Sequence, residues 1–347
     1  MKKSGNPVWT RVAKQAGWRP RDSQGGVVYK ELMWILGGWF SNEEACPCDV
    51  WNSRDGKRWE LITKAAPWKH GDLPVTLVFK DMIWLMGGWY NGLLADNSAS
   101  SEVWYYDGIQ WSRATQCAGW TPRLGAASVS FKDKMWILGG IEDYKMWIYS
   151  LEGNNGSAHK NCLKNDVWCS EDGRNWELVV NDAGWSPRAF HQAAVFRDKI
   201  WILGGGSYDS EIQMLNDVWC SEDGINWICI DRKMPWGKRI WFPVVVYRDH
   251  IWVLGGFSCD SNLDQHINYN DVWFSRDGAK WDQFMSDDIW TARHAHSAFV
   301  FRDKLWIAGG KCDVLLPNSP DAGIRHAKAL MNDVWSLYIP ENWFGEE

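Results

Sequence analysis

Six times along the chain a short apolar run ends in a pair of glycines, at Gly37-Gly38, Gly87-Gly88, Gly139-Gly140, Gly204-Gly205, Gly255-Gly256 and Gly309-Gly310. The runs, such as KMWILGG and KIWILGG, carry Trp34, Trp84, Trp136, Trp201, Trp252 and Trp306 in register. They are apolar at successive positions, which predicts strands buried on both faces. Upstream of each lies a second strand ending in Tyr29, Phe79, Phe131, Phe196, Tyr247 or Phe301, joined to it by a short charged turn, Lys30-Glu31 in the first copy and Arg302-Asp303 in the last. Downstream, a third strand opens with Asp49, Glu102, Asp166, Asp217, Asp271 or Asp333, followed by valine and tryptophan. Asp-Gly then turns the chain in the first five copies, because those residues accept the positive φ of a tight hairpin. A fourth strand carries Trp59, Trp111, Trp176, Trp227 or Trp281.

Four antiparallel strands in a unit of about 50 to 65 residues make a blade, and blades hide their faces only by stacking around an axis. The expected fold is all-β: a six-bladed β-propeller forming one domain over residues 1–347. The sixth copy reads SLYIPENW where a Ser-x-Asp-Gly hairpin belongs, so its fourth strand is missing or weak, while Trp9 stands nine residues before Trp18 as Trp59 stands before Trp68. The segment Val8 to Val12 is therefore expected to complete the last blade and remove an open edge. Trp343 competes for the same slot.

Double glycine after an apolar strand, an acidic residue before an aromatic, and a spaced tryptophan together resemble the kelch repeat, and the six copies resemble a six-bladed kelch propeller. The resemblance covers nearly the whole chain and, in its stand-alone bacterial form, extends to sialic-acid mutarotase-like proteins. It implies a fold. Kelch propellers otherwise include oxidases, mutarotases, specifier-type lyases and pure protein-binding modules, so the chemistry must come from the site.

Charge narrows the partners. A net charge of -6 and a pI near 5.8 argue against a general nucleic-acid or anionic-membrane binder, which needs a basic surface. No stretch approaches the roughly 20 apolar residues of a membrane span, and no apolar run follows Lys2-Lys3 as in a secretory signal. Nine cysteines, an odd number, do not form a disulfide framework. A cytoplasmic location is the expectation.

In a four-strand meander the charged turns and Asp-Gly hairpins share one face. The other face collects the variable loops after Gly-Gly, where binding normally resides. What recurs in every blade is explained by building blades, so the repeat serves as a template to subtract. Twenty-four of the 29 tryptophans occupy four repeat positions. Of the remainder, Trp39, Trp89, Trp147 and Trp241 map to the variable face, as an aromatic platform or as loop packing. Arg21, Arg123, Arg188, Arg239 and Arg293 each lie three residues after a blade-crossing tryptophan, so five guanidiniums converge near the channel mouth. Two readings stay open: pairing with the acidic residues that open the third strands, or bidentate binding of a carboxylate or phosphate. The second blade reads Trp68-Lys69-His70-Gly71, a gap in the ring near which the ligand entrance or a specificity element is expected, with His70 as a ligand-binding candidate.

His191 and His296 share one repeat position and His294 precedes His296 by two; these are the candidate proton-transfer groups. Glu43, Glu142, Asp143, Asp209 and Glu211 are loop carboxylates able to act with them. Cys46-Pro47-Cys48, Cys259, Cys312 and His266 lack the paired spacing of a zinc motif, so no metal and no cofactor is expected. The favoured reading is a polar, anionic small molecule bound in the axial pocket, with mutarotase- or isomerase-type proton transfer. The alternative is a non-catalytic propeller whose loops grip a protein partner.

Overall fold

A computed structural model of the chain describes residues 7–41, 43–90, 98–142, 162–207, 214–260, 265–315 and 326–344. Six antiparallel sheets, each built on four strands in meander order, form the blades of a β-propeller. In the fourth blade the order is Gln192–Phe196, Lys199–Gly205, Leu215–Ser221 and Ile228–Asp231. The first strands of successive blades touch around the ring and line the axis. They alternate buried and half-buried residues, as in Val75–Phe79, whereas second strands such as Met82–Met86 are buried almost throughout. That contrast is the one the uninterrupted apolar runs predict, because the second strand is covered on both faces by neighbouring blades while the first also faces the axial channel. Both central residues of all six charged turns have positive φ, including Lys30 at 46° and Glu31 at 56°, the two-residue geometry that matches strand twist. Among the described residues no helix is long and apolar enough to cross a membrane.

The repeated tryptophans each have a structural task. The Trp34 position donates its indole N–H to the carbonyl of the first-strand aromatic, Trp34 to Tyr29 and Trp201 to Phe196. The third-strand tryptophans donate to the acid two residues earlier, Trp219 to Asp217 at 2.8 Å. Those of the fourth strand, Trp111 excepted, donate to the Asp-Gly carbonyl, Trp59 to Gly56 at 3.0 Å. The blade-crossing tryptophans pack edge-on against fourth-strand tryptophans, Trp185 on Trp227 and Trp236 on Trp281, each 6.1 Å between centroids.

Thr10–Ala13 pairs antiparallel with Val334–Leu337, placing Thr10 opposite Ser336 and Arg11 opposite Trp335. The N-terminal strand thus completes the last blade, starting slightly later than Val8. Trp343 lies instead in a single 3-10 turn, Glu341–Phe344, against Phe274 and Phe284. In that turn Phe344 contacts Trp252. In the fourth blade the corresponding Trp201 ring meets the Asp-Gly glycine of the next blade, Gly278, so this turn fills the place of the missing hairpin.

Candidate functional site

The five arginines do converge around the axis, but inside the blades. Each is at most 2 % exposed. Arg188 shows the arrangement: one terminal nitrogen donates to the Gly204 carbonyl at 2.8 Å and to Asp217 Oδ1 at 2.6 Å, the other to Asp217 Oδ2 at 2.8 Å, and Nε to the Ser186 carbonyl. Arg21 with Asp49, Arg123 with Asp166, Arg239 with Asp271 and Arg293 with Asp333 repeat the bidentate pair. Each also donates to the first glycine of its Gly-Gly pair. Burial works to raise the Asp217 pKa, yet the hydrogen bonds and charge of Arg188 outweigh it and hold the carboxylate below its usual range. Of the two readings for the arginine ring, intramolecular pairing is the geometry observed. The guanidiniums join first strand, Gly-Gly turn and third strand of one blade, and none lines the axial cavity.

The second blade solves the gap locally. Gly71 stands where the arginine would be, and a Cβ there would fall 2.5 Å from the Pro47 carbonyl oxygen. Glu102 is met instead by Arg113 of the fourth strand at 2.9 Å and by the Trp104 indole at 3.1 Å. His70 Nε2 lies 3.1 Å from Ser98 Oγ, and burial pushes its pKa down to about 4 against the opposing charge of Glu102.

His191 and His296 are buried between blades, in the wall of the axial cavity. Their rings lie on Trp185 and Trp290, at 5.9 and 5.3 Å, just as Phe242 lies on Trp236 in the fifth blade. A Cβ on Gly205 would come within 2.4 Å of His191 Cβ, so the second glycine of the pair makes room for this side chain. Burial pushes His191 down to about 3, with Arg188 acting the same way and Asp217 and the Leu138 carbonyl opposing. Burial and Arg293 hold His296 well below its ordinary value. Both are neutral at physiological pH. His294, 2 % exposed, is fixed by Asn268 at 2.7 Å and stacks on Trp241 at 5.3 Å.

The off-repeat tryptophans separate. Trp39 exchanges backbone hydrogen bonds with Asp22 and carries the Lys311 ammonium over its ring at 5.2 Å. Trp89, 1 % exposed, pairs in the same way with Asp72. Trp241 sits at the axis. Trp147 lies outside the described residues, as do Asp143, Asp209 and Glu211. Glu142 pairs with Lys164 at 3.0 Å. Among the described residues no group of three or more His, Cys, Asp or Glu could hold a metal ion.

What the repeat did not reveal is a collar. Ser23, Leu73, Gly125, Phe190, Trp241 and Ala295, one per blade, all have φ between 48° and 61°. At five of the six junctions the amide of one donates to the carbonyl of its neighbour: Ser23 to Ala295, Ala295 to Trp241, Trp241 to Phe190, Phe190 to Gly125 and Leu73 to Ser23, at 2.7 to 3.3 Å. Below it lies an axial cavity of about 290 Å³, lined by the first residues of all six inner strands. Around the collar the face is divided. Leu124, Phe190, Ile240, Phe257 and Trp89 build an apolar half, and Asp22, Asp72, His294 and Lys311 a polar one. Burial, followed by the charge of Asp22, raises the Asp72 carboxyl well above its ordinary value. The sequence carried a signal for these carboxyls: the residue after the arginine position is Leu124, Ala189 or Ile240 in three blades, but Asp22, Asp72 and His294 in the other three.

No family model matches the chain. It is 29% identical over 249 residues to the leucine-zipper-like transcriptional regulator 1 homolog of Drosophila melanogaster, covering 67% of this chain and 23% of that protein. It is also 28% identical over 149 residues to leucine-zipper-like transcriptional regulator 1 of Mus musculus and of Homo sapiens, covering 38% of this chain and 16% of each. The matched region thus spans less than a quarter of these curated relatives, and the chain is similar through its propeller to proteins named as regulators.

Proposed function

We propose that this chain is a non-catalytic, kelch-type interaction propeller that grips a protein partner with its long-loop face. The observation that carries the reading is the occupation of the polar groups at the channel mouth. Five guanidiniums are spent on aspartates of their own blades, and the two repeat-position histidines are packed and neutral. An anionic small ligand would need cations, and a mutarotase-type transfer would need a base that titrates near neutral pH. Neither is supplied by the residues that spacing singled out. The same face offers contact area instead. The paired strands His250–Asp260 and Gln265–Ser275 extend well past Gly-Gly, and Lys311–Leu315 with His326–Leu330 forms a separate ribbon. Such rims suit a partner surface, and similarity to proteins named as regulators points the same way.

Affinity capture from the source cell's extract tests the reading, run beside a thermal-shift screen of acidic sugars and other carboxylates. The expected result is a stoichiometric partner that is lost when the Lys311–Leu315 ribbon is replaced by a short turn, with no carboxylate raising the melting temperature. Stabilisation by a carboxylate without any stoichiometric partner would overturn it.

A further inference from the structure

We propose that the axial cavity is a binding site for a small, uncharged, hydroxyl-bearing molecule, reached from the face of the charged turns and sealed from the long-loop face by the collar. The seal follows from geometry. Residues joined by amide-to-carbonyl bonds across adjacent strands have Cα atoms about 5 Å apart. Six residues at about that spacing, five of the junctions so bonded, form a ring with a radius of about 5 Å, and subtracting a carbon radius of about 2 Å leaves roughly 3 Å before any side chain is counted. Leu73, Phe190 and Trp241 narrow that opening further, with Phe190 and Trp241 in ring contact at 5.1 Å. Water passes such a collar and a sugar-sized molecule does not.

The chamber beneath has the character the proposal requires. None of its lining residues is Asp, Glu, Lys or Arg, and its two histidines are neutral, so an ion entering it would lose its hydration without a partner. The wall is uneven. Thr76, Ser128 and Gln192, contributed by three consecutive blades, are half-buried and polar, whereas opposite them Gly26, Val244 and Ala298 offer no polar side chain and the polar neighbours Ser23, Gln24 and Ser297 are already hydrogen-bonded within the protein. The inner strands are also sheet edges, whose unpaired N–H and C=O groups need partners. A molecule with a hydroxylated edge and a less polar face satisfies both sides. Toward the charged turns the channel continues between Val28, Val78, Val195, Val246 and Val300, all half-buried, with Ser130 exposed. Solvent therefore reaches the wall from that end. The site is independent of the long-loop rim, so a protein there and a small molecule here would not compete.

The test places a cysteine in the chamber, Ser128→Cys in the full chain. Its modification by the uncharged 2-hydroxyethyl methanethiosulfonate is followed by peptide mass, which separates it from the nine native thiols. The cysteine should react. Ser130→Trp at the charged-turn end should slow it by about tenfold or more, since a filled channel passes little larger than water. Ala295→Trp at the collar should leave the rate within about twofold, because the collar is already closed to the reagent. Myo-inositol or glucose should protect the thiol by about threefold at twice its dissociation constant. Val246→Phe serves as the second block if Ser130→Trp lowers the melting temperature. A thiol that does not react, a rate governed by position 295, or no protection by either polyol, meaning a chamber that holds water only, would each overturn the proposal.

Discussion

Trp9 meets Trp290 edge to face, with ring centroids 6.2 Å apart and planes at 90°, and so repeats across the two ends of the ring the pair that Trp59 makes with Trp18 at 5.9 Å and 89°. Trp9 is 1 % exposed and belongs to a core cluster with Trp335 and Leu337, so it closes the last blade through its side chain as well as through strand pairing. Trp9→Ala should therefore cost about 3–5 kcal/mol of unfolding free energy, the range for truncating a buried aromatic. Trp343→Ala, which removes a half-buried ring from the turn that fills the hairpin's place, should cost clearly less. Denaturant midpoints of the two variants check this, and equal losses would contradict it.

A histidine held neutral by burial makes stability pH-dependent in a definite direction. The folded pKa of His191 is about 3, below the value near 6.5 expected of the unfolded chain. Its contribution is thus fully present above about pH 6.5 and lost as pH falls toward 3. His296, also held low, adds to the same trend. His191→Phe places at this position the residue type that blade five already has in Phe242. It should fold and flatten the melting temperature between pH 6.5 and 4. A profile as steep as the parent's would contradict the assignment of His191 to packing.

Gly173 combines a φ of 70° with a Trp84 ring that would lie 2.1 Å from any Cβ. Gly173→Ala should cost more than the roughly 1 kcal/mol of a positive-φ glycine alone, because overpacking adds about 1–3 kcal/mol. Gly184, also at positive φ, has nothing within 4 Å of its Cβ site, so Gly184→Ala should show the backbone contribution only. Chemical denaturation of the pair separates the two effects.

The blades were legible in the sequence because each strand carries a marker at a fixed interval, a terminal Tyr or Phe on the first and tryptophan with glycine or an acidic residue on the others. Ring closure by the N-terminal strand was legible because the Trp9-to-Trp18 interval copies Trp59 to Trp68. The candidate site was legible only in outline. Spacing brought the five arginines and five aspartates to one mouth, but which groups pair depends on side-chain reach, which a one-dimensional pattern does not contain. The collar escaped notice because Leu73, Phe190 and Trp241 adopt positive φ without the glycine that usually announces it; the ring of hydrogen bonds, not local preference, holds them there. His191 drew attention because its repeat position faces the axis; it does line the axial cavity, and what the repeat did not contain is the contact of its ring with Trp185.

The separation of scaffold from binding rim is tested most directly by Arg188→Met, measured for both unfolding free energy and partner capture. Removing one member of this buried pair leaves Asp217 without its cation, which should cost about 3–5 kcal/mol. At a temperature where the variant is folded, capture of the partner should be unchanged. Stability equal to the parent's, together with loss of partner or ligand binding, would contradict the account, because it would place Arg188 in the site rather than in the blade.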